Sequence, residues 1–127
     1  LRRARRGCYR AGSLRELPER WRTAAFMQCG DEVCLRARFR EPVSIERHDV
    51  LRDAPPEDGF DLVLCRNLAF TYFDETGQRM VAEHLARALR PGGALVLGRH
   101  ETLPAGVGDF DAWSDATRVY RRVSAGA

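Results

Sequence analysis

Lysine is absent from this chain of 127 residues, in which all 21 basic side chains are arginine. Its absence excludes mechanisms that use a lysine as a Schiff base, as a general base or as the phosphate-binding residue of a nucleotide loop. A GC-rich coding sequence accounts for such a composition without implying any chemistry.

Long apolar runs and regularly spaced metal ligands are lacking as well. No stretch approaches the roughly 18 apolar residues of a membrane span, and no secretory signal is recognisable. We therefore expect a cytoplasmic protein without membrane insertion, in which the cysteines are reduced. Neither the cysteines nor the histidines follow the spacing of a zinc site, so we expect no metal. These residues are Cys8, Cys29, Cys34, Cys65, His48, His84 and His100.

The charges of the chain are nearly balanced. The 21 arginines are offset by 18 acidic residues, a net charge of +3, and 44% of the residues are hydrophobic, which is enough for one folded domain. The basic cluster at residues 2–10 contains one aromatic residue, Tyr9, whereas single-stranded nucleic acids are usually bound by several aromatic side chains. We therefore interpret the cluster as a solvated helix face and expect no nucleic-acid partner.

Short helices and two strands are predicted for the first part of the chain. Gly7 is a suitable helix-stopping residue, Ser13 is a suitable helix N-cap, and Pro18 is a suitable first helical residue. Alternating apolar and charged residues predict strands. The predicted helices cover residues 1–6, residues 14–17 and the residues after Pro18, and the predicted strands cover 33–39 and 43–50.

An α/β unit is predicted for the remainder. Residues 60–65 are almost wholly apolar, as in a strand that is covered on both faces of a parallel sheet. Asp74 can cap a helix over 75–90, which ends at a proline-glycine-glycine turn and is followed by an apolar strand at 94–98. The alternation of residues 117–123 indicates a final strand. Strand, helix, glycine turn and strand form a right-handed crossover, so the predicted fold class is α/β.

Polar residues follow two of the predicted strands. Arg66 and Asn67 come directly after strand 60–65, and Asp49 lies near the end of strand 43–50. Open α/β sheets bind ligands outside the carboxyl ends of their strands. An aspartate accepts hydrogen bonds from an exocyclic amine, and an asparagine can both donate and accept. The pattern fits a nucleoside-binding crevice, and it fits an ordinary turn at the end of each strand equally well.

Several segments resemble those of one enzyme family. Residues 60–67, FDLVLCRN, and residues 72–74, YFD, resemble the FD-x-I-x-CRN-x-x-x-YFD signature of CheR-type methyltransferases. Further similar segments, in the family's order, are ARRGCY at 4–9, FM at 26–27, LRPGGAL at 89–95, GRHE at 98–101 and VYR at 119–121. The resemblance implies a Rossmann-like class I methyltransferase fold. It also implies S-adenosylmethionine as the cofactor, used to esterify glutamate side chains of chemoreceptors.

The resemblance implies roles for five residues. Asp49 and Val50 match the family's asparagine-leucine pair that contacts the adenine, and the aspartate keeps an acceptor for the adenine amine. Arg66 and Asn67 match the arginine-asparagine pair that follows the central strand and contacts the cofactor. Tyr72 matches a tyrosine near the transferred methyl group, which makes it the candidate catalytic residue.

The sequence departs from the family pattern at two places. One extra residue separates Asn67 from Tyr72, and an added residue rotates a helical side chain by about 100°. His100 stands where the family has a serine, whereas the neighbouring Glu101 is kept.

Methyl transfer to a glutamate requires little acid–base chemistry. The carboxylate has a pKa of about 4.3, so it is already the nucleophile at neutral pH. Its reaction with a sulfonium methyl donor neutralises opposite charges, and neither a general base nor a metal is needed. The enzyme mainly aligns oxygen, methyl and sulfur and excludes water.

The chain begins at Leu1 rather than at a methionine, and the family's glycine-rich cofactor loop and ribose-binding acidic residue are not found in it. We therefore expect residues 1–127 to be the carboxyl-terminal portion of a larger catalytic domain, truncated so that the first two strands are absent. Such a piece is expected to bind the cofactor weakly and to be inactive alone. Residues 26–41 are a candidate small β-subdomain. The expected partner is a protein with an acceptor carboxylate, and the expected oligomeric state is a monomer.

Two alternative functions remain open. A class I methyltransferase of the same fold could act on a different acceptor, and a non-catalytic remnant could keep the fold for protein interaction. A base-labile methyl ester would favour the glutamate acceptor, whereas a stable product would favour another one.

Overall fold

The computed structural model describes residues 1–114 and 118–124. The chain divides into two compact units, Leu1–His48 and Asp49–Ala127. Each unit contains one sheet and helices of its own.

The first unit is built on a three-stranded antiparallel sheet. Its strands are β1 (Cys8–Arg10), β2 (Phe26–Cys29) and β3 (Glu32–Leu35), in the order β1-β3-β2. Its helices are α1 (Arg2–Arg6), α2 (Glu19–Ala25) and α3 (Ala37–Arg40), with a 3₁₀ turn at Ala11–Leu14. Gly7 ends α1 in the left-handed conformation, with φ of 63°, as predicted. Helix α2 is present as predicted but begins at Glu19, and Pro18 is its N-cap rather than its first residue.

Two elements of this unit have other bounds than predicted. The helical stretch expected at 14–17 is the 3₁₀ turn at Ala11–Leu14, and the strand expected over 33–39 covers only Glu32–Leu35. The chain then enters the helical turn α3. Such a short alternation does not distinguish a long strand from a short strand followed by one helical turn.

A disulfide joins an outer strand and the central strand of this sheet. Cys8 on β1 lies directly opposite Cys34 on β3, and the two sulfur atoms are bonded. The expectation of reduced thiols is wrong for this pair, because residues 26 positions apart become neighbours only through strand pairing. Cys29, which is exposed, and Cys65, which is buried, are free thiols.

Replacing Cys34 with serine is expected to destabilise the first unit. The disulfide links residues 26 positions apart, and losing that constraint on the unfolded chain costs about 3 kcal/mol of unfolding free energy. Urea unfolding of a Trp113→Phe background, followed by the fluorescence of Trp21, measures the change. Cys29→Ser is the control and should leave the stability unchanged. Equal stability of the wild type with and without a reducing agent would contradict the prediction.

The second unit is a mixed α/β structure. Its strands are β4 (Phe60–Cys65), β5 (Leu89–Leu97), β6 (Phe110–Ala112) and β7 (Val119–Arg122), and its helices are α4 (Ala69–Tyr72) and α5 (Glu75–Ala88). The sheet has the order β4-β5-β7-β6, with β4 and β5 parallel and the other pairs antiparallel. The α/β class is confirmed, with β6 added to the predicted strands. Residue 117, the first of the predicted final alternation, lies outside the described residues.

Helix α5 begins as predicted and passes into β5 earlier than predicted. Asp74 is its N-cap, and the carboxylate accepts a hydrogen bond of 2.8 Å from an amide of the first turn. Strand β5 starts at Leu89, so the proline-glycine-glycine turn lies inside the strand. Gly93 is needed there, because a Cβ would lie 2.9 Å from the carbonyl oxygen of Arg90 and 3.0 Å from that of Phe60. The pairing of the two strands is irregular at this point, since Leu89 pairs with Phe60 and the next paired residue of β5 is Ala94, opposite Leu62.

The core of the second unit lies on one face of the sheet, beneath α5. Its largest fully buried side chains are Val81, Leu89, Leu95 and Leu97. The other face of β4 is open, since Leu62 is 54% and Leu64 is 65% exposed, and β4 is an edge strand. The prediction of a strand covered on both faces is therefore wrong here, because the part of the chain that the structure describes supplies no second layer over Leu62 and Leu64.

Residues 43–50 form no strand, which corrects the sequence prediction. A strand needs a neighbour that can pair with its backbone groups, and none of the described strands pairs with this segment. From Asp49 the chain turns instead: the Asp49 carboxylate accepts a hydrogen bond from the Leu51 amide at 3.0 Å, and its carbonyl oxygen accepts one from the Asp53 amide at 2.8 Å. Local bonds of this kind compete with strand formation.

Candidate functional site

The turn that follows β4 has an unusual backbone conformation. Among the described residues, Asn67 is the one non-glycine residue with a positive φ, 54°. Asparagine tolerates this left-handed conformation better than most residues, and residues held in it cluster at functional sites. Asn67 and the exposed Arg66 lie just outside the carboxyl end of β4, the edge at which open α/β sheets bind ligands.

One buried carboxylate holds this turn. Glu101 is 2% exposed, and both of its oxygens accept hydrogen bonds. Oε2 accepts from the amides of Asn67 and Gly98, each at 2.7 Å. Oε1 accepts from the Leu68 amide at 3.1 Å and from the Thr71 hydroxyl at 2.7 Å. The carboxylate thereby connects the end of β4, the start of α4 and the end of β5.

Gly98 leaves the space that this arrangement needs. A Cβ at this position would overlap Oδ1 of Asn67 and would lie 2.6 Å from Oε2 of Glu101. Side chains larger than hydrogen are thus excluded while Asn67 and Glu101 keep their positions. Gly98 directly follows β5, so the requirement arises where two strand ends approach each other.

The surroundings of Glu101 lower its pKa. Burial alone would raise the pKa of this carboxyl group, but the hydrogen bonds from the Thr71 hydroxyl and from three backbone amides hold it below the ordinary value of 4.5. Burial raises the pKa of the nearby Cys65 thiol, which is therefore neutral. At neutral pH, Glu101 is a carboxylate surrounded by hydrogen-bond donors.

The lowered pKa of Glu101 predicts a pH-dependent contribution to stability. A carboxyl group whose pKa is lower in the folded state stabilises the fold above its unfolded-state pKa, and this contribution is lost as the pH falls through the folded-state value. The difference in unfolding free energy between the wild type and Glu101→Gln is thus expected to be constant near neutral pH and to shrink below the ordinary pKa of 4.5. Urea unfolding at several pH values measures this difference, with the exposed Glu83→Gln as the control. A difference in unfolding free energy that does not change with pH would contradict a lowered pKa of Glu101 in the folded state.

Tyr72 ends the single helical turn α4. Ala69 and Phe70 anchor this turn in the core, with exposures of 0% and 7%, whereas Tyr72 is 76% exposed. Among the described residues no hydrogen bond to its hydroxyl is present. The structure therefore brings Tyr72, Arg66 and Asn67 together on one short segment after β4.

Asp49 and Val50 lie beside α5 rather than on that segment. The carbonyl oxygen of Val50 accepts a hydrogen bond from Nδ1 of His84 at 3.0 Å, which requires the tautomer with its proton on Nδ1. No hydrogen bond between described residues joins this pair to Arg66 or Asn67. Sequence reasoning missed the role of His84, because its neighbours along the helix include charged residues typical of a solvated surface.

The roles of Glu101, Gly98 and Thr71 were also not evident from the sequence. The resemblance of segment 98–101 to a family segment was the available signal that Glu101 and Gly98 matter. Nothing in the segment indicates that both lie against Asn67. Thr71 belongs to the interval that is longer than the family's, and it carries no motif signal.

A large open cavity lies at the other end of the sheet. Its volume is about 850 Å³, and its lining includes Pro55, Gly59, Arg87, Arg90 and Arg122. Gly59 precedes β4, so this cavity is at the amino end of the strand. Because α/β sheets bind their ligands at the carboxyl ends of the strands, we assign the candidate site to the turn after β4 and not to this cavity.

Residues 1–114 and 118–124 contain neither a cluster of metal-binding side chains nor a membrane-spanning helix. No group of three or more histidine, cysteine, aspartate and glutamate side chains in this part of the chain could hold a metal ion. No helix in it is long and apolar enough to cross a membrane.

The second unit is an α/β structure with a mixed sheet, and the strand-end turn lies at the edge where open α/β sheets bind ligands. The chain matches the family model described as CheR methyltransferase, SAM binding domain, over residues 1–119. The chain belongs to this family, and the resemblance noted in its sequence is confirmed.

Individual relatives agree with the family match. The chain is 37% identical to a chemotaxis protein methyltransferase of Listeria monocytogenes over 103 residues, which are 81% of this chain and 38% of the relative. It is 29% identical to chemotaxis protein methyltransferase 2 of Vibrio cholerae over 110 residues, 81% of this chain and 36% of the relative. It is 44% identical to a probable biofilm formation methyltransferase WspC of Pseudomonas putida over 69 residues, 53% of this chain and 16% of the relative. The chain thus spans less than half the length of these relatives.

Proposed function

We propose that this chain is part of an S-adenosylmethionine-dependent methyltransferase that esterifies a glutamate carboxylate of a signalling protein. Membership of a SAM-binding family over residues 1–119 supports the cofactor. The names of the Listeria and Vibrio relatives, both chemotaxis methyltransferases, support the acceptor. The structural observation that carries the proposal is the turn after β4, where the left-handed Asn67 follows the exposed Arg66.

The residues of this edge fit the chemistry of the cofactor. S-Adenosylmethionine carries a carboxylate, an amine and an adenosine group. The exposed guanidinium of Arg66 can pair with a carboxylate, and the Asn67 amide can both donate and accept. One oxygen of Asp49 accepts from the Leu51 amide, and the other lies 3.8 Å from Nε of Arg52. A carboxylate has further lone pairs for an adenine amine. We assign Asp49, Val50, Arg66 and Asn67 to the cofactor.

Methyl transfer at this site depends on positioning. When bound, the cofactor supplies a methyl group on a sulfonium ion, and the acceptor glutamate is ionised at neutral pH because its pKa is about 4.3. The chain therefore has to hold its own side chains in place. The buried Ala69 and Phe70 fix the turn that presents Tyr72, which we assign as the catalytic residue beside the acceptor. Alignment of this kind is a large source of rate.

Methylation by the complete product of the gene tests the proposal. Labelled S-adenosylmethionine and an acidic receptor domain are expected to yield a base-labile methyl ester on glutamate. Asn67→Ala is expected to weaken cofactor binding about tenfold, since it removes a polar contact worth about 1.4 kcal/mol, and Glu83→Gln should bind like the wild type. A base-stable product would show that the methyl acceptor is not a glutamate carboxylate. A folded protein that binds no S-adenosylmethionine would refute the proposal.

We also propose that the chain is the carboxyl-terminal portion of its catalytic domain, without the first two strands of the class I fold. Two observations support this: the chain covers 38% of the Listeria relative, and the apolar residues Leu62 and Leu64 of β4 are exposed. The sheet at Cys8–Leu35 is proposed as the small β-subdomain expected around 26–41. A cytoplasmic location and a monomeric state remain predictions from the sequence.

A further inference from the structure

We infer that Glu101 is the positioning residue of the candidate site: its carboxylate holds the Asn67 turn and α4 in the conformation that binds the cofactor. The part of this inference that concerns binding rests on the proposed function. The part that concerns the turn rests on the geometry alone.

Glu101 acts through its neighbours and not on a ligand. A carboxylate offers about four lone-pair sites, and four donors occupy the oxygens of Glu101: three backbone amides and the Thr71 hydroxyl. Its side chain is also buried, at 2% exposure. No acceptor site is left for a bound molecule, so any effect of Glu101 on binding passes through Asn67, Leu68 or Thr71.

The left-handed conformation of Asn67 needs such support. A non-glycine residue in this region is held there only when the surrounding structure over-determines it. The Asn67 amide donates to Oε2 of Glu101, and the following amide, of Leu68, donates to Oε1. Two consecutive amides directed at one carboxylate fix the peptide planes on both sides of the turn.

The turn is also tied to a rigid element. Oε2 of Glu101 accepts from Gly98 as well as from Asn67, and Gly98 directly follows β5, whose Leu97 is buried. Sites supported by strands are held more precisely than sites on free loops. One side chain thus connects Asn67 and Gly98, which are distant along the chain.

Replacing Glu101 with glutamine tests the hydrogen-bond acceptors of the side chain separately from its volume. Glu101→Gln keeps the shape of the side chain but replaces one oxygen with an NH₂ group, which is a donor. With the NH₂ group at the Oε2 position, the Asn67 and Gly98 amides face a donor. With the NH₂ group at the Oε1 position, the Leu68 amide faces a donor, since the Thr71 hydroxyl can rotate and accept. The variant therefore releases one side of the turn while leaving the packing nearly unchanged.

The first test concerns the turn and uses this chain alone. Amide hydrogen exchange measured by NMR is expected to be at least tenfold faster in Glu101→Gln than in the wild type on the released side of the turn, which is either Leu68 or the pair Asn67 and Gly98. Amides in the middle of α5 should be unchanged. Unchanged exchange at all three amides would overturn the inference whether or not the protein binds the cofactor.

The second test concerns binding and uses the complete gene product. Glu101→Gln is expected to raise the Kd and KM for S-adenosylmethionine about tenfold or more, with kcat at saturation within about twofold. Thr71→Val should also raise the Kd and KM, whereas Thr71→Ser, which keeps the hydroxyl, should have wild-type values. Val81→Ala, a core substitution in α5, controls for lost stability and should leave Kd unchanged.

The outcomes separate the two proposals. A wild type without affinity for S-adenosylmethionine would refute the proposed function, while the exchange data would still decide the role of Glu101 in the turn. A wild type that binds, together with a Glu101→Gln variant of equal affinity, would overturn the positioning role and leave the proposed function standing. An equal rise of Kd in Val81→Ala would likewise overturn it, because general destabilisation would then explain the effect.

Discussion

Gly98→Ala is expected to abolish the candidate site and to lower the unfolding free energy of the second unit by about 3 kcal/mol. The added methyl group would occupy the space of the Asn67 amide oxygen and would lie 2.6 Å from the Glu101 carboxylate. Both side chains would have to move, and the hydrogen bonds to the carboxylate, each worth about 1.5–3 kcal/mol, would be weakened or lost. We expect cofactor affinity to fall at least a hundredfold, which corresponds to about 2.8 kcal/mol.

Gly108→Ala is the matched control for this experiment. A Cβ at Gly108 would have no neighbour within 4 Å, so the same chemical change should alter the unfolding free energy by less than about 0.5 kcal/mol. Isothermal titration of the complete gene product with S-adenosylmethionine measures the change in affinity, and urea unfolding measures the change in stability. If Gly98→Ala binds the cofactor as tightly as Gly108→Ala, the proposed packing of the strand-end turn is wrong.

Leu95→Ala is expected to cost about 4 kcal/mol of unfolding free energy, the largest effect on stability that we predict. Leu95 is 0% exposed and lies in β5, opposite Val63 of β4 and Tyr120 of β7. Truncating a buried leucine removes its transfer free energy and leaves a cavity, with costs of roughly 3–5 kcal/mol. The position between two neighbouring strands limits the collapse of that cavity.

Leu64→Ala provides a comparison with the same side chain in the adjacent strand. Leu64 is 65% exposed in this chain, so its loss should cost less than about 1 kcal/mol. In a Trp21→Phe background, Trp113 is the remaining tryptophan of the two and lies in the second unit, so its fluorescence follows unfolding of that unit in urea. Equal costs for the two leucines would show that the face of β4 carrying Leu64 is covered.

Local signals in the sequence identified elements that depend on local chemistry. The cap at Asp74 and the stop at Gly7 are determined by hydrogen bonds and backbone angles within a few residues. The apolar strand at 60–65 and the order of the family's segments were likewise evident. These features were enough for the α/β class and for a candidate edge at Arg66 and Asn67.

The remaining features depend on residues that are distant in the sequence. Residues 43–50 have the composition of a strand, but strand formation requires a neighbour, and the sequence pattern does not show whether one is present. The Cys8–Cys34 pair becomes visible only with the register of β1 and β3. The carboxylate of Glu101 reaches Asn67 across 34 positions of the chain. A linear motif can indicate such a glutamate, but it cannot show which donors surround it.

The direct passage from α5 to β5 limits where the polypeptide can change in length. One residue inserted between Ala88 and Leu89 would either turn the buried stripe of α5 away by about 100° or displace the fully buried Leu89 from the core. The exposed turn-rich segment at 53–59 has no such constraint, and loops of this kind accept added residues at little cost. Tags, permuted termini or inserted domains therefore belong at 53–59, while the helix–strand junction has to keep its present length.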